Sequence, residues 1–198
     1  NRHVLQTLLA NGCGIDAASA GEVRLAEGLS VAKDDISYSA PGKTDEDLRY
    51  ALPRCRVIAD SIGELSRLDK IAGELGGGFE IGIRINPAFG MDAAEGSPSQ
   101  FGIDYELLDS LPALQNVKIT SIHTHIQSQN LGWETLARYY ENVFALAENL
   151  KTRGFSIPII NFGSGCGIVY DESCQTPLDM AALGTAVREL TSRYAGIA

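Results

Sequence analysis

Gly14-Ile15-Asp16-Ala17-Ala18-Ser19-Ala20-Gly21-Glu22 is the stretch on which the reading of the fold turns. Residues 14–19 have the character of a short strand. Ser19 with Glu22 three residues on is a capping-box pattern that opens a helix over 20–28. A strand that runs through a capped turn straight into a helix is half of a β-α-β unit.

Working outward, the same order recurs. Upstream, residues 4–10 have helical spacing and stop at Asn11-Gly12, a C-cap pair. Downstream, strands are expected at 35–39, 56–61, 80–87, 118–126 and 157–162. Helices are expected from Thr44 onward, with acids in the first turn, and at 62–75, 133–152 and 177–194. Residues 88–100 form the one long irregular stretch. About six strands alternating with about seven helices, with no linker or repeat, predict one α/β domain with a parallel sheet. Periodicity does not decide between a closed barrel and a doubly wound open sheet.

Composition narrows the function. A chain of 198 residues, 44% hydrophobic and 21% charged, is large enough for a real core. The net charge of −9, with Lys and Arg scattered singly, argues against a nucleic-acid surface. The apolar runs are far shorter than the roughly 20 residues a membrane helix needs, so no membrane partner is expected. The opening Asn1-Arg2-His3-Val4 has no export-leader pattern, and Cys13, Cys55, Cys166 and Cys174 match no metal or disulfide spacing. The expectation is a cytoplasmic protein with reduced thiols. Cys55 reads as a packed small hydrophobe.

In a parallel α/β barrel, functional side chains gather at the C-terminal ends of strands. The polar residues at those ends are Asp16 and Ser19, Ser39, Asp60 and Ser61, Arg84 and Asn86, His123 and His125 with Ser128 beyond, and Asn161. Gly163-Ser164-Gly165-Cys166-Gly167, after an apolar strand, suits an anion, because glycines permit positive φ and leave backbone N–H groups to point at a phosphate. The alternative is a tight turn without a ligand. Its G-x-G-x-G spacing lacks the third glycine of a dinucleotide fingerprint, which argues against a nicotinamide cofactor.

His123 and His125 share a strand face, as a metal pair would, yet only His3 could join them, so no metal site is expected. An inward imidazole can instead stack on a flat ring, or be a hydrogen-bonded core histidine. Asp16 and Arg84 are single charges in otherwise apolar strands, where a charge is paired or serves a site. Asp60 reads as a helix cap.

Taken in order, these segments resemble the ornithine/diaminopimelate/arginine decarboxylase family, pyridoxal-phosphate-dependent enzymes on an alanine-racemase-type barrel. Residues 14–22 are similar to its G-x-D-x-x-S-x-x-E segment. Arg84-Ile85-Asn86-Pro87 and Gln100-Phe101-Gly102 are similar to its R-x-N-P and S-K-F-G segments. His123-Thr124-His125-Ile126-Gln127-Ser128-Gln129 is similar to H-x-H-I-G-S-Q, and residues 161–167 to N-x-G-G-G-x-G. The resemblance spans nearly the whole chain.

It implies a (β/α)8 barrel that binds pyridoxal 5′-phosphate (PLP), of which residues 1–198 cover strands two to seven. It implies decarboxylation of a small amino acid by a full-length parent, and a homodimer. His125 would stack on the pyridine ring; Ser128, Gly163, Ser164 and Gly165 would hold the phosphate; Asp16 and Arg84 would line the interior near the reacting carbon. By the same resemblance the cofactor's lysine belongs just upstream of Asn1. An acid on the last strand and a C-terminal β-domain belong beyond Ala198, so this chain alone is expected to be inactive and to expose unpaired sheet edges. Gln100 stands in place of a lysine and Gln127 in place of a glycine, and residues 89–99 look closer to the siderophore and natural-product branch. The substrate is left open, and a non-catalytic, partner-binding relative or a racemase or PLP carrier on the same barrel are the alternatives.

Overall fold

Every strand-to-helix junction expected from the sequence is present in the structure, a computed structural model that describes residues 1–91, 96, 98–163 and 165–194. The chain divides into two compact units, residues 1–84 with 110–118, and residues 85–109 with 119–198.

The first unit begins with α1 (Arg2–Ala10) and then runs β1 (Ile15–Ala17), α2 (Ala20–Glu27), β2 (Ile36–Ser39), α3 (Asp45–Ala51), β3 (Arg56–Ala59), α4 (Ile62–Glu74) and most of β4 (Phe79–Asn86). These strands pair in parallel, with Asp16 opposite Ser37, Tyr38 opposite Val57 and Ile58 opposite Gly82. Helix starts fix how each strand hands over to its helix. Ser19 Oγ accepts from the Glu22 N–H at 3.2 Å, and the Glu22 carboxylate accepts the Ala18 N–H at 2.6 Å. At α4 the same arrangement recurs: Ser61 Oγ accepts from the Glu64 N–H at 3.1 Å, and Glu64 Oε1 accepts the Asp60 N–H at 3.4 Å. In both, the reciprocal bond lands one residue before the N-cap and locks the last strand residues. A full capping box sits at α3, between Thr44 and Asp47.

The second unit holds the end of β4, β5 (Ile103–Asp104), β6 from Ile119 (the strand spans Val117–His123), α5 (Trp133–Thr152), β7 (Ile159–Asn161) and α6 (Met180–Arg193). Here too pairing is parallel, with Ile85 opposite Ile103 and His123 opposite Asn161. Helix α5 has the bounds its periodicity predicts, and it buries Leu136, Tyr139, Tyr140, Val143, Phe144, Ala147 and Leu150 along one stripe. Phe162, at the end of β7, packs on Tyr140 and Phe144 at ring-centroid distances of 4.3 and 5.6 Å.

Three features differ from the sequence reading. Except for β4 the strands are shorter, so β6 ends at His123 and His125 lies past it. The two-residue β5 and the 3-10 turns Lys33–Asp35 and Tyr105–Ser110 carry too few residues to show periodicity. Of the irregular stretch 88–100, residues 92–95 and 97 lie outside the described residues. Cys55 is packed as expected, its thiol pushed up to about 12 by burial. No described helix is long and apolar enough to cross a membrane.

Asp69 ties α4 to the entry of β6. Its Oδ1 accepts the backbone N–H groups of Gln115, Asn116 and Val117 at 2.9, 2.7 and 3.1 Å. Burial pulls this carboxyl upward, but the bonds from Asn116, Gln115 and Val117 outweigh it and hold it below the usual carboxylate value. Asp69→Ala is expected to destabilise the protein by about 2–3 kcal/mol in urea titrations near neutral pH. Because the folded value is depressed, this contribution is whole above about 3.9, the unfolded carboxyl's value, and is lost as pH falls through the folded one. The wild-type advantage over the variant should therefore shrink in strong acid.

Candidate functional site

In the second unit, two backbone segments past the ends of β6 and β7 come together, and the histidine, serine and glycines singled out above lie on them. Thr124 donates its N–H to the Asn161 carbonyl at 3.0 Å, continuing the β6–β7 ladder by one residue. The buried Tyr139 hydroxyl donates to Thr124 Oγ1 at 2.8 Å, so α5 holds the link between the two histidines. His125 Nδ1 lies 2.8 Å from the Gly163 carbonyl. A carbonyl only accepts, so Nδ1 carries the proton; in the neutral ring Nε2 is then an acceptor, and Ser128 Oγ lies 3.3 Å from it. Contacts at both nitrogens set the plane of the imidazole. His123 is buried on the same side, facing the glycine turn.

The glycines are required by contact as well as conformation. Gly163 has φ +62°, and a Cβ there would lie 2.5 Å from the Thr124 carbonyl oxygen and 2.6 Å from His125 Cβ. At Gly165, φ is +101° and a Cβ would meet the Gln127 carbonyl oxygen at 2.7 Å. The expectation that this turn leaves its N–H groups to an anion needs correcting at two positions. Gly163 N–H donates to Asn161 Oδ1 at 2.8 Å, and Gly167 N–H to the Asn130 carbonyl at 2.8 Å. What Gly163 contributes is close approach, not a donor. Ser164 lies outside the described residues.

The charges of the first unit depart further from the sequence reading. Asp16 is exposed in β1. Arg84 is largely buried at the end of β4 and pairs with Asp60, Nη1 to Oδ1 at 3.6 Å. Asp60 is therefore not the cap of α4, a role that Ser61 takes. Beside it lies an ion pair that sequence reasoning missed: Lys43 Nζ is 2.6 Å from Glu64 Oε1, with side-chain exposures of 0% and 2%. Lys43 also donates to the Ala40 carbonyl and lies over the Tyr38 ring. Burial pushes Lys43 down and Glu64 up, while their mutual attraction opposes both shifts. The available signal was Glu64 at the third position of a helix opened by a serine. Among the described residues, no cluster of three or more histidines, cysteines and carboxylates could hold a metal.

A parallel α/β fold that gathers a histidine, a serine and a glycine turn past two neighbouring strand ends defines a class, the α/β proteins whose ligand sites lie at the C-terminal ends of their strands. Residues 1–196 match the family model described as "Pyridoxal-dependent decarboxylase, pyridoxal binding domain", and the chain belongs to that family. It is 33% identical over 204 residues to the diaminopimelate decarboxylase of Aquifex aeolicus, covering 92% of this chain and 47% of that protein. It is 32% identical over 182 residues to an L-glutamyl-[BtrI acyl-carrier protein] decarboxylase of Niallia circulans, covering 86% of this chain and 42% of that protein. The crystal structure of a diaminopimelate decarboxylase from M. jannaschii superposes with a TM-score of 0.86 at 26% identity, over 100% of this chain and 48% of that one. The chain thus spans about half the length of the curated relatives it matches. Its fold is the PLP-binding barrel fold, of which it covers a part, and its cofactor is PLP.

Bonds to both ring nitrogens hold the plane of His125, which a ring stacked on it would need, while the close contacts at Gly163 and Gly165 are with the chain's own backbone and bring its two segments together. Gly163→Ala is expected to displace His125 and cost about 1–3 kcal/mol of stability, together with PLP uptake measured by absorbance. In the first unit, Lys43→Met leaves Glu64 buried without its close ion partner, with Arg67 4.0 Å away, and is expected to cost about 3–5 kcal/mol. Lys43→Met combined with Glu64→Leu should recover most of that loss in the same denaturation assay.

Proposed function

We propose that the protein to which this domain belongs removes carbon dioxide from a small amino acid, using PLP held in part by His125, Ser128 and the Gly163 to Gly165 turn. The observation that carries the reading is the imidazole of His125, fixed in its plane by Gly163 and Ser128 within a pyridoxal-binding domain. A ring pinned at both nitrogens keeps one orientation toward a stacked partner, and stacking needs no change in its protonation.

When bound, PLP supplies a sink for the electrons left behind as carboxylate departs. The chain's own residues orient the cofactor and keep its phosphate on the glycine side. By resemblance, Asp16 and Arg84 belong toward the reacting end, and the guanidinium of Arg84 is kept in place by Asp60. Residues 1–198 cover part of the barrel, and the shared length with relatives supports a parent that carries the lysine, the remaining strands and a further domain elsewhere. A homodimer in the cytoplasm, with no nucleic-acid partner, completes the proposal.

Substrate identity follows the relatives only as far as a choice to be tested. One is named for diaminopimelate and another for a glutamyl group on a carrier protein. The test uses the full-length protein. Addition of PLP should produce the visible absorbance of the bound cofactor, and borohydride should fix it to a lysine upstream of Asn1, located by mass spectrometry. Carbon dioxide release is then measured over diaminopimelate, ornithine, lysine, arginine and carrier-protein-linked glutamate. His125→Ala should weaken PLP binding about tenfold, in keeping with the roughly 1–3 kcal/mol that stacking on one ring contributes. Absence of both absorbance and fixation would sink the proposal.

A further inference from the structure

Four hydrogen bonds run in a row between the segment that carries His125 and Ser128 and the segment that carries the glycine turn. Two are backbone bonds, from Asn130 N–H to the Gly165 carbonyl at 2.9 Å and from Gly167 N–H to the Asn130 carbonyl at 2.8 Å. The other two belong to one side chain. Gln129 Nε2 donates to the Ile168 carbonyl at 3.1 Å, and Gln129 Oε1 accepts the Ile168 N–H at 3.1 Å. A carboxamide presents the same donor and acceptor as a peptide edge, so Gln129 extends the Asn130–Cys166 bridge by one step without a strand.

Gln129 adopts this position at φ +63°, a left-handed conformation that a residue with a Cβ rarely takes. Both Gln129 and Ile168 are exposed, and hydrogen bonds between exposed groups contribute little to global stability because water replaces them. The clamp is therefore poorly explained as a stabilising device. Its geometry is explained by register. Backbone approach at this point is close enough that a Cβ on Gly167 would lie 2.9 Å from the Gln129 carbonyl carbon. The same seam continues to Gly165 over Gln127 and to Gly163 over Thr124 and His125. A slip of residues 165–168 along it would move the turn relative to Ser128.

We infer that Gln129 is a positioning residue: its carboxamide, clamped on both backbone groups of Ile168, sets the register of the glycine turn against His125 and Ser128 and so tunes the site for the phosphate of PLP. This rests on the reading that the cradle takes PLP. It concerns the phosphate end alone, whereas His125 serves the ring.

The test compares the full-length wild type with Gln129→Gly, which removes the clamp and relieves the positive φ, and Gln129→Met, which removes the clamp and keeps it. Affinities for PLP and for pyridoxal, which lacks the phosphate, are measured by absorbance. Both variants should lose about tenfold in PLP affinity and keep their pyridoxal affinity, while amide exchange at residues 165–168 quickens in the cofactor-free protein. Equal losses for PLP and pyridoxal would make Gln129 a merely structural residue and overturn the inference, as would unchanged affinities. If Gln129→Gly matches wild type while Gln129→Met is impaired, strain and not the clamp is responsible, and the inference also falls. Should the wild type bind no PLP, it is the cofactor reading that fails. The exchange experiment then still decides the clamp, because unchanged exchange at 165–168 rejects it.

Discussion

The contact between residues 124–130 and residues 161–168 is the constraint on which the candidate site depends. Two backbones meet there at distances that exclude a Cβ at Gly163, Gly165 and Gly167. Only glycine at those points lets the β7 exit lie along the β6 exit, and only that placement puts the Gly163 carbonyl against His125 Nδ1. The tautomer of His125, the orientation of its ring and its relation to Ser128 all follow. The packing behind the contact is as specific. Tyr139 bonds Thr124 from one side of the seam, and Phe162 is gripped by Tyr140 and Phe144 on the other, so one helix, α5, supports both segments.

The first unit handles its charges by a different principle. Lys43 and Glu64 are withdrawn almost wholly from water, and such a pair gains little net stability because desolvation offsets attraction. What it does supply is geometry. Glu64 holds the Asp60 N–H, and the carboxylate of Asp60 faces Arg84. An arginine at a strand end is thereby held by a chain of polar contacts that begins in the turn after β2. The same Ser-x-Gly-Glu sequence opens α2, where Glu22 reaches back to Ala18 below Asp16. One local device, used twice, sets the strand end that precedes each helix.

How much of this is legible in the sequence varies by residue. The cap at Ser19 and the bounds of α5 are local, since each depends on neighbours within a turn or two, and spacing alone places both correctly. His125 stands out as the second histidine of a strand-end His-x-His pair and Ser128 by its place just beyond it, although the strand itself stops at His123. Asp60 misleads, because a carboxylate before a helix satisfies the pattern of a cap whether or not the adjacent serine takes that role. The pair Lys43–Glu64 joins residues 21 positions apart, and no local rule brings them together. Sequence overcounts the donor groups of the glycine turn for two reasons: Asn161, two residues before Gly163, takes its N–H locally, and Asn130, which takes the Gly167 N–H, is brought there by the packing of two segments.

By itself, then, the sequence determined the order of strands and helices, the helix starts and the set of residues at strand ends, because periodicity, capping and glycine's freedom act over a few residues. Its run of motifs also carried the family resemblance that the comparisons bear out. Tertiary structure alone decided which charges are buried and with whom, which nitrogen of His125 bears the proton, and that the Gly167 N–H is engaged by Asn130. Those depend on distances between segments far apart in the chain, and such distances exist only once the backbones have packed.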